Sequence, residues 1–142
     1  MIRKFECSEG FTLLELLVAV MLAAILTAIA IPTYNQQVMH GHRADAKTSL
    51  GDLANRMERY YRDNNTYATA TIGAMASTDV LSSSASGQGY YTLSISSATA
   101  STYSVTAAPA GVQVKDTACG SYTLTSAGVE SISGTSTVSQ CW

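Results

Sequence analysis

The sequence predicts an α+β fold, in which one long N-terminal helix packs on a small antiparallel β-sheet. Three observations carry the prediction. Residues 11–31 are apolar except for Thr12, Glu15 and Thr27. A second stretch, residues 33–64, places its apolar residues three and four apart. The C-terminal part of the chain alternates apolar and hydroxyl side chains with a period of two.

The 21 residues of the first stretch would rise about 32 Å as a helix, close to the thickness of a bilayer core. Pro32 follows it. Proline removes a backbone hydrogen bond and clashes with the preceding turn, so a bend or unwound turn is expected over residues 28–32. Beyond it Ala46, Leu50, Leu53, Ala54, Met57, Tyr60 and Tyr61 form one apolar stripe. Asp52–Arg56 and Glu58–Arg62 are acid-first pairs four apart, each contributing a few tenths of a kcal/mol. Asn64 and Asn65 tolerate the left-handed conformation that closes a helix.

Such a stripe needs a cover. Tyr91, Leu93 and Ile95, then Tyr103, Val105 and Ala107, then Tyr122 and Leu124 alternate with Ser and Thr, and Val129 and Ile132 mark a last short strand. Period-two alternation gives each strand one buried and one wet face, the habit of antiparallel sheets. Residues 97–101 and 126–128 read as hairpin turns, and Pro109 and Gly111 punctuate the longer link. Residues 65–89 are expected to be an irregular loop.

Charge is concentrated. Residues 43–63 hold nine charged side chains, whereas the 79 residues from Asn64 onward hold only Asp79, Lys115, Asp116 and Glu130 beside 29 Ser and Thr. Aromatic and β-branched content favours a polar-faced sheet over disorder for that half. A carboxylate at the bilayer centre costs roughly 2.5–3.5 kcal/mol on insertion scales, so Glu15 calls for a partner, and none is evident within its own segment. In the first ten residues Arg3 and Lys4 are balanced by Glu6 and Glu9, so charge alone leaves the orientation across a membrane open.

The run Gly10-Phe11-Thr12-Leu13-Leu14-Glu15 resembles the N-terminal signature of type IV pilins. Arg43-Ala44-Asp45-Ala46-Lys47, Arg56-Met57-Glu58-Arg59-Tyr60-Tyr61, Asn65-Thr66-Tyr67 and the ending Cys119…Cys141-Trp142 are similar to those of PilE-type minor pilins. The resemblance is strong in the N-terminal third and at the C-terminus, and only stylistic between. It implies a pilin fold and a leader, residues 1–10, removed by a prepilin peptidase that cuts after Gly10 and methylates the amine of Phe11. It implies that residues 11–32 anchor the chain in the inner membrane and then pack in a filament core. Glu15 would there meet the Phe11 amine of a neighbouring subunit, while the helix often melts upstream of the position matching Pro32. Residues 33–142 would form the globular domain: amphipathic helix 33–64, loop 65–89, and sheet with disulfide region 90–142. Expected partners are other major and minor pilins and an inner-membrane assembly platform. The N-terminus would be cytoplasmic and the globular domain periplasmic, and then extracellular on the pilus.

Cleavage also resolves an odd cysteine count. Cys7 would leave with the leader, and Cys119 and Cys141 would remain as a pair that an oxidising compartment favours bridging. Closing the 21 residues between them would contribute about 3 kcal/mol on a chain-entropy model.

Other chemistry is disfavoured. His40 and His42 point to different faces of a helix and read as solvated residues rather than metal ligands. No phosphate loop, nucleophile elbow or Cys–His arrangement occurs, so neither an enzyme nor a cofactor is expected. Tyr60, Tyr61 and Tyr67 read as core at a helix–loop junction rather than a ligand platform. Duplex DNA draws affinity from Lys and Arg, and Lys115 is the only basic residue after Arg62, so nucleic acid is not an expected partner. The expectation is therefore a non-enzymatic minor pilin. A type II secretion pseudopilin, or a filament-displayed adhesin or DNA receptor, is the alternative.

Overall fold

The structure, a computed structural model, describes residues 11–142, without the side chains of residues 32 and 33. Gly10, Cys7 and the rest of the expected leader lie outside the described residues. The elements are α1 (Leu13–Asn64), β1 (Thr71–Ile72), β2 (Asp79–Leu81), β3 (Tyr91–Ala98), β4 (Tyr103–Pro109), a 3₁₀ turn (Gly111–Lys115), β5 (Tyr122–Thr125), β6 (Glu130–Ile132) and α2 (Val138–Cys141). The chain divides into two compact units between Gln37 and Val38, and α1 contributes to both.

Thr12 starts the helix. Its hydroxyl accepts the backbone N–H of Glu15 at 3.2 Å and its carbonyl accepts that of Leu16, which satisfies two of the donors that a helix start leaves free. The helix then runs unbroken through position 32. The unwound turn expected near Pro32 is thus not formed. Proline takes away one N–H donor, and the helix continues on the bonds of the flanking turns. The helix ends where the paired asparagines indicate: Asn65 adopts φ +54° and gives its N–H to the Tyr61 carbonyl at 2.8 Å.

In the second unit the predicted stripe faces inward. Ala46, Leu50, Leu53 and Met57 are fully buried, and Ala54, Tyr60 and Tyr61 pack at the edge. Their cover is a four-stranded antiparallel sheet in the order β3-β4-β5-β6. It presents Tyr91, Leu93, Tyr103, Val105, Ala107 and Tyr122 to the helix. Leu93 pairs with Ala107 and Val105 with Leu124, so apolar partners share one face across the ladders. Tyr67 lies buried between Tyr61, with ring centroids 4.6 Å apart, and Tyr103, at 4.9 Å. Tyr67 is core, as the sequence indicates, and Tyr60 and Tyr61 are half-buried against it.

Three features depart from the sequence reading. Residues 65–89 are not wholly irregular, because β1 and β2 pair in parallel and enclose a loop tied down by Asp79. The Asp79 carboxylate accepts the Thr71 hydroxyl at 2.6 Å and the N–H groups of Ala74 and Ala76. The link after β4 contains the 3₁₀ turn, and α2 precedes the C-terminus. Elements of two to five residues carry too little periodicity to be read from a sequence.

Candidate functional site

The first unit shows what its side chains cannot do alone. Every described side chain from residue 11 to residue 31 is exposed, including Phe11 (81 %) and Leu13 (82 %). This part of α1 is long and apolar enough to cross a membrane. Among its polar groups, Thr12 caps the helix and the Thr27 hydroxyl donates to the Ala23 and Ala24 carbonyls at 2.9 and 3.0 Å. The Glu15 carboxylate has no partner among the described residues. The predicted assembly residues Phe11 and Glu15 therefore lie on an exposed surface that is apolar but for Thr12, Thr27 and one carboxylate, and no described residue covers it.

The second unit is the reverse, with its charges spent internally. Arg43 and Asp116 form a buried bidentate pair, Nε to Oδ2 at 2.7 Å and Nη2 to Oδ1 at 2.8 Å. Burial raises the Asp116 pKa, but the bonds and charge of Arg43 and the Cys119 N–H outweigh it and hold the carboxyl below its ordinary 3.8. The same pairing raises Arg43 above its ordinary value. Gln113 sits fully buried beside them. Its amide donates to Asp116 Oδ2 and the Tyr91 hydroxyl, each at 3.0 Å, and to the Met39 carbonyl at 3.3 Å. Its carbonyl accepts Nδ1–H of His42 at 3.1 Å.

Asp45 makes a second attachment. Its carboxylate accepts the Ser86 hydroxyl at 2.5 Å and the N–H groups of Gln88 and Tyr90 at 3.0 and 3.3 Å. Two charged residues, Arg43 and Asp45, thus join α1 to the link between β4 and β5 and to the loop before β3. Sequence reasoning missed both, because a charged residue on a helix normally faces water. Asp116, one of three acids in a sparsely charged half, was the available signal.

His42 is corrected as well. It is not solvated but half-buried, stacked on Tyr90 with centroids 3.5 Å apart. His40 instead accepts a hydrogen from Arg43 Nη1 through Nε2 at 3.1 Å. Of the helix pairs, Asp52–Arg56 forms at 2.8 Å, whereas Glu58 accepts the Tyr67 hydroxyl at 3.1 and 3.2 Å.

Cys119 and Cys141 are joined, with Cα atoms 5.7 Å apart. Gly134 makes the approach feasible, since a Cβ there would collide with the Ala118 carbonyl. Its N–H bonds the Cys119 carbonyl at 3.0 Å. Trp142 packs on Tyr122 and donates its indole N–H to the Ser131 carbonyl at 3.2 Å.

With Arg43 and Arg56 engaged, the exposed cations of the second unit are Arg59, Arg62 and Lys115, with Lys47 half-buried. Among the described residues no group of three His, Cys, Asp or Glu side chains is placed to hold a metal ion.

Comparison with known proteins places this geometry in context. Residues 32–123 match a family model described as type IV minor pilin ComP, DNA uptake sequence receptor, and residues 7–31 match the prokaryotic N-terminal methylation motif. The chain is 34 % identical over 104 residues to the type IV wide pilus major component PilA4 of Thermus thermophilus, covering 73 % of this chain and 76 % of that protein. It is 31 % identical over 74 residues to the type II secretion system core protein G of Vibrio cholerae, covering 52 % and 51 %. The crystal structure of the Neisseria meningitidis non-core minor pilin PilV shares the fold. The TM-score is 0.53 at 22 % identity, over 71 % of this chain and 92 % of that one.

Proposed function

The chain belongs to the type IV pilin family, and we propose that within it this protein is a minor pilin that primes or decorates a filament. A pilin is a structural subunit, anchored in the membrane by its apolar helix and then displayed in the pilus. The observation that carries the reading is Glu15, without a partner among the described residues, in the first stretch of α1, residues 13–31, whose other side chains are all exposed and, but for Thr27, apolar. In lipid its carboxylate is costly. In a filament the methylated amine of Phe11 on an adjacent subunit offers a charge partner, so moving from bilayer to filament core relieves that cost. Prepilin peptidase cuts between Gly10 and Phe11, and the N-terminus stays cytoplasmic while residues 33–142 fold in the periplasm around the Cys119–Cys141 bridge. An inner-membrane assembly platform then extracts the subunit.

The test is Glu15→Ala. The variant is expected in the membrane fraction, processed at Phe11, and absent from sheared filaments. Normal incorporation would defeat the pairing. Quantitative mass spectrometry of sheared filaments decides copy number: trace amounts of a peptide beginning at methylated Phe11 support a minor pilin, and dominance makes the chain the major subunit. Processing with no filament signal favours the secretion relative.

A second reading, a DNA receptor, is favoured by the family match over residues 32–123. Lys47, Arg59, Arg62 and Lys115 are the cations available to meet phosphate. Each phosphate neutralised on a duplex contributes about −0.9 to the slope of log K against log salt. A salt slope near zero for the full chain with duplex DNA would dismiss this reading.

A further inference from the structure

A helix that is covered at one end and bare at the other needs something to decide how far opening of the bare end can travel. Most helical stability in a protein comes from tertiary packing, and residues 13–31 and 34–37 of α1 are all exposed. Pro32 also removes one hydrogen-bond donor from that stretch. Helix opening is cooperative, so a turn that has lost its neighbour opens more easily than one inside the helix. Fraying would therefore advance along α1 until it met a grip costly to break.

Two features of the globular unit could be that grip. The fully buried apolar stripe begins at Ala46. A turn earlier stands a polar cluster centred on Gln113. The 3₁₀ turn that carries this residue leaves Val112 and Val114 exposed, at 62 % and 59 %, and sends Gln113 inward with no exposure at all. The turn is fixed in place: the Ala110 N–H bonds the Tyr90 carbonyl at 2.8 Å, the Gln113 N–H bonds the Ala110 carbonyl at 3.0 Å, and the Asp116 N–H bonds the Gln113 carbonyl at 2.9 Å.

Gln113 joins four different parts of the fold. It reaches the helix backbone at the Met39 carbonyl, a helix side chain at His42, the Arg43–Asp116 ion pair at Asp116 Oδ2, and the sheet at the Tyr91 hydroxyl. Its two amide hydrogens are shared among three acceptors, and its side-chain oxygen takes the His42 N–H, so the group is saturated. Among the described residues no buried side-chain nitrogen or oxygen lacks a partner. Pulling Met39 to Arg43 out of the helix would leave Gln113, Asp116 and Tyr91 covered and unpaired together. Such loss costs far more than breaking bonds that water can replace.

We infer that this cluster is a latch that stops the unwinding of α1 at Met39, with Gln113 as its positioning residue. The bare half of the helix can then open and close without the opening reaching the apolar core. The latch belongs to the globular unit and is independent of Glu15 pairing and of DNA capture.

The test is amide hydrogen exchange, resolved by residue, on the full chain in detergent. In an α-helix the N–H groups of residues 43–46 bond the carbonyls of residues 39–42, and that of residue 50 bonds the carbonyl of residue 46. With the latch in place, protection should begin at Arg43. Were the apolar stripe the only stop, protection would begin near Leu50, and that result in the parent chain overturns the latch. Gln113→Met keeps a side chain of similar length and removes the amide. Its onset of protection should move one to two turns toward Leu50, with exchange at residues 43–46 faster by about tenfold or more and Leu53 and Met57 still protected. A side chain that merely adds to global stability would lower protection throughout and leave the onset at Arg43, so an unmoved onset also overturns the latch. Val112→Thr, on the exposed side of the same turn, is the control and should keep the parent onset. If Gln113→Met does not fold, His42→Phe decides: it keeps a ring against Tyr90 and removes the N–H given to Gln113. Movement of its onset in the same direction supports the latch, and no movement overturns it.

Discussion

The two halves of α1 are one helix with opposite fates. Residues 13–31 expose every described side chain, while the half that runs from Val38 to Asn64 buries Ala46, Leu50, Leu53 and Met57 completely. Helix formation explains neither outcome, since both halves form it. The difference lies in what the rest of the chain supplies. The second half has a sheet with an apolar face, and its polar residues have Asp116, Gln113, Ser86 and the N–H groups of Gln88 and Tyr90. The first half has no cover among the described residues, and its one charge is unanswered. A monomer of this kind is complete in its globular unit and incomplete in its anchor, which suits a subunit that must assemble.

The sharpest way to break the comparison is at the buried pair. Asp116→Ala leaves Arg43 charged and covered, with a side chain only 10 % exposed, and should lower stability by about 4 kcal/mol. Chemical denaturation of the detergent-solubilised chain reads it. Leu53→Ala, in the fully buried stripe, should cost about 3 kcal/mol. The matching change in the exposed half, Leu22→Ala, should move the same transition by less than about 0.5 kcal/mol. Equal effects from the two leucines would show that the anchor helps hold the globular unit together.

Acid gives a smaller and more specific signal. A carboxyl whose folded pKa is depressed contributes stability above its unfolded value and loses it as pH falls through the folded one. Asp116 is held below 3.8, so its contribution should fade below about pH 4, and Asp116→Asn should lack that component of the Tm-against-pH curve. At the alkaline end the sign reverses. Burial first, only partly opposed by the bond from Gln113, pushes Tyr91 up to about 12. Its contribution is complete below 10 and lost as pH rises through 12, which phenolate absorbance in Tyr91→Phe against the parent would locate. The least disruptive change is Asp79→Asn. It should speed hydrogen exchange at Ala74 and Ala76 while leaving the global transition in place, since that loop is tied locally.

The sequence by itself determined the elements with long periodic patterns. The apolar run, the stripe from Ala46 to Tyr61, the four sheet strands within a few residues of their ends, the helix stop at Asn64 and Asn65, and the cysteine pair were all legible, because a period of 3.6 or 2 repeated over many residues leaves little choice. Glu15 stands out in the sequence by contrast with its surroundings, and Phe11 is singled out only by the resemblance of its flanks to the pilin signature. The tertiary structure alone decided the rest. Whether Arg43 and Asp45 face water depends on Asp116 and Ser86, more than forty residues away, and His42 owes its place to Tyr90 and Gln113. Nor could composition reveal that Ser94, Thr106, Thr123 and Ser131 stand in one row, because register joins strands that are separate in the chain. The physical reason is common to all three: local pattern reports which face a side chain takes on its own element, and only packing brings it the partner that makes burial or alignment favourable.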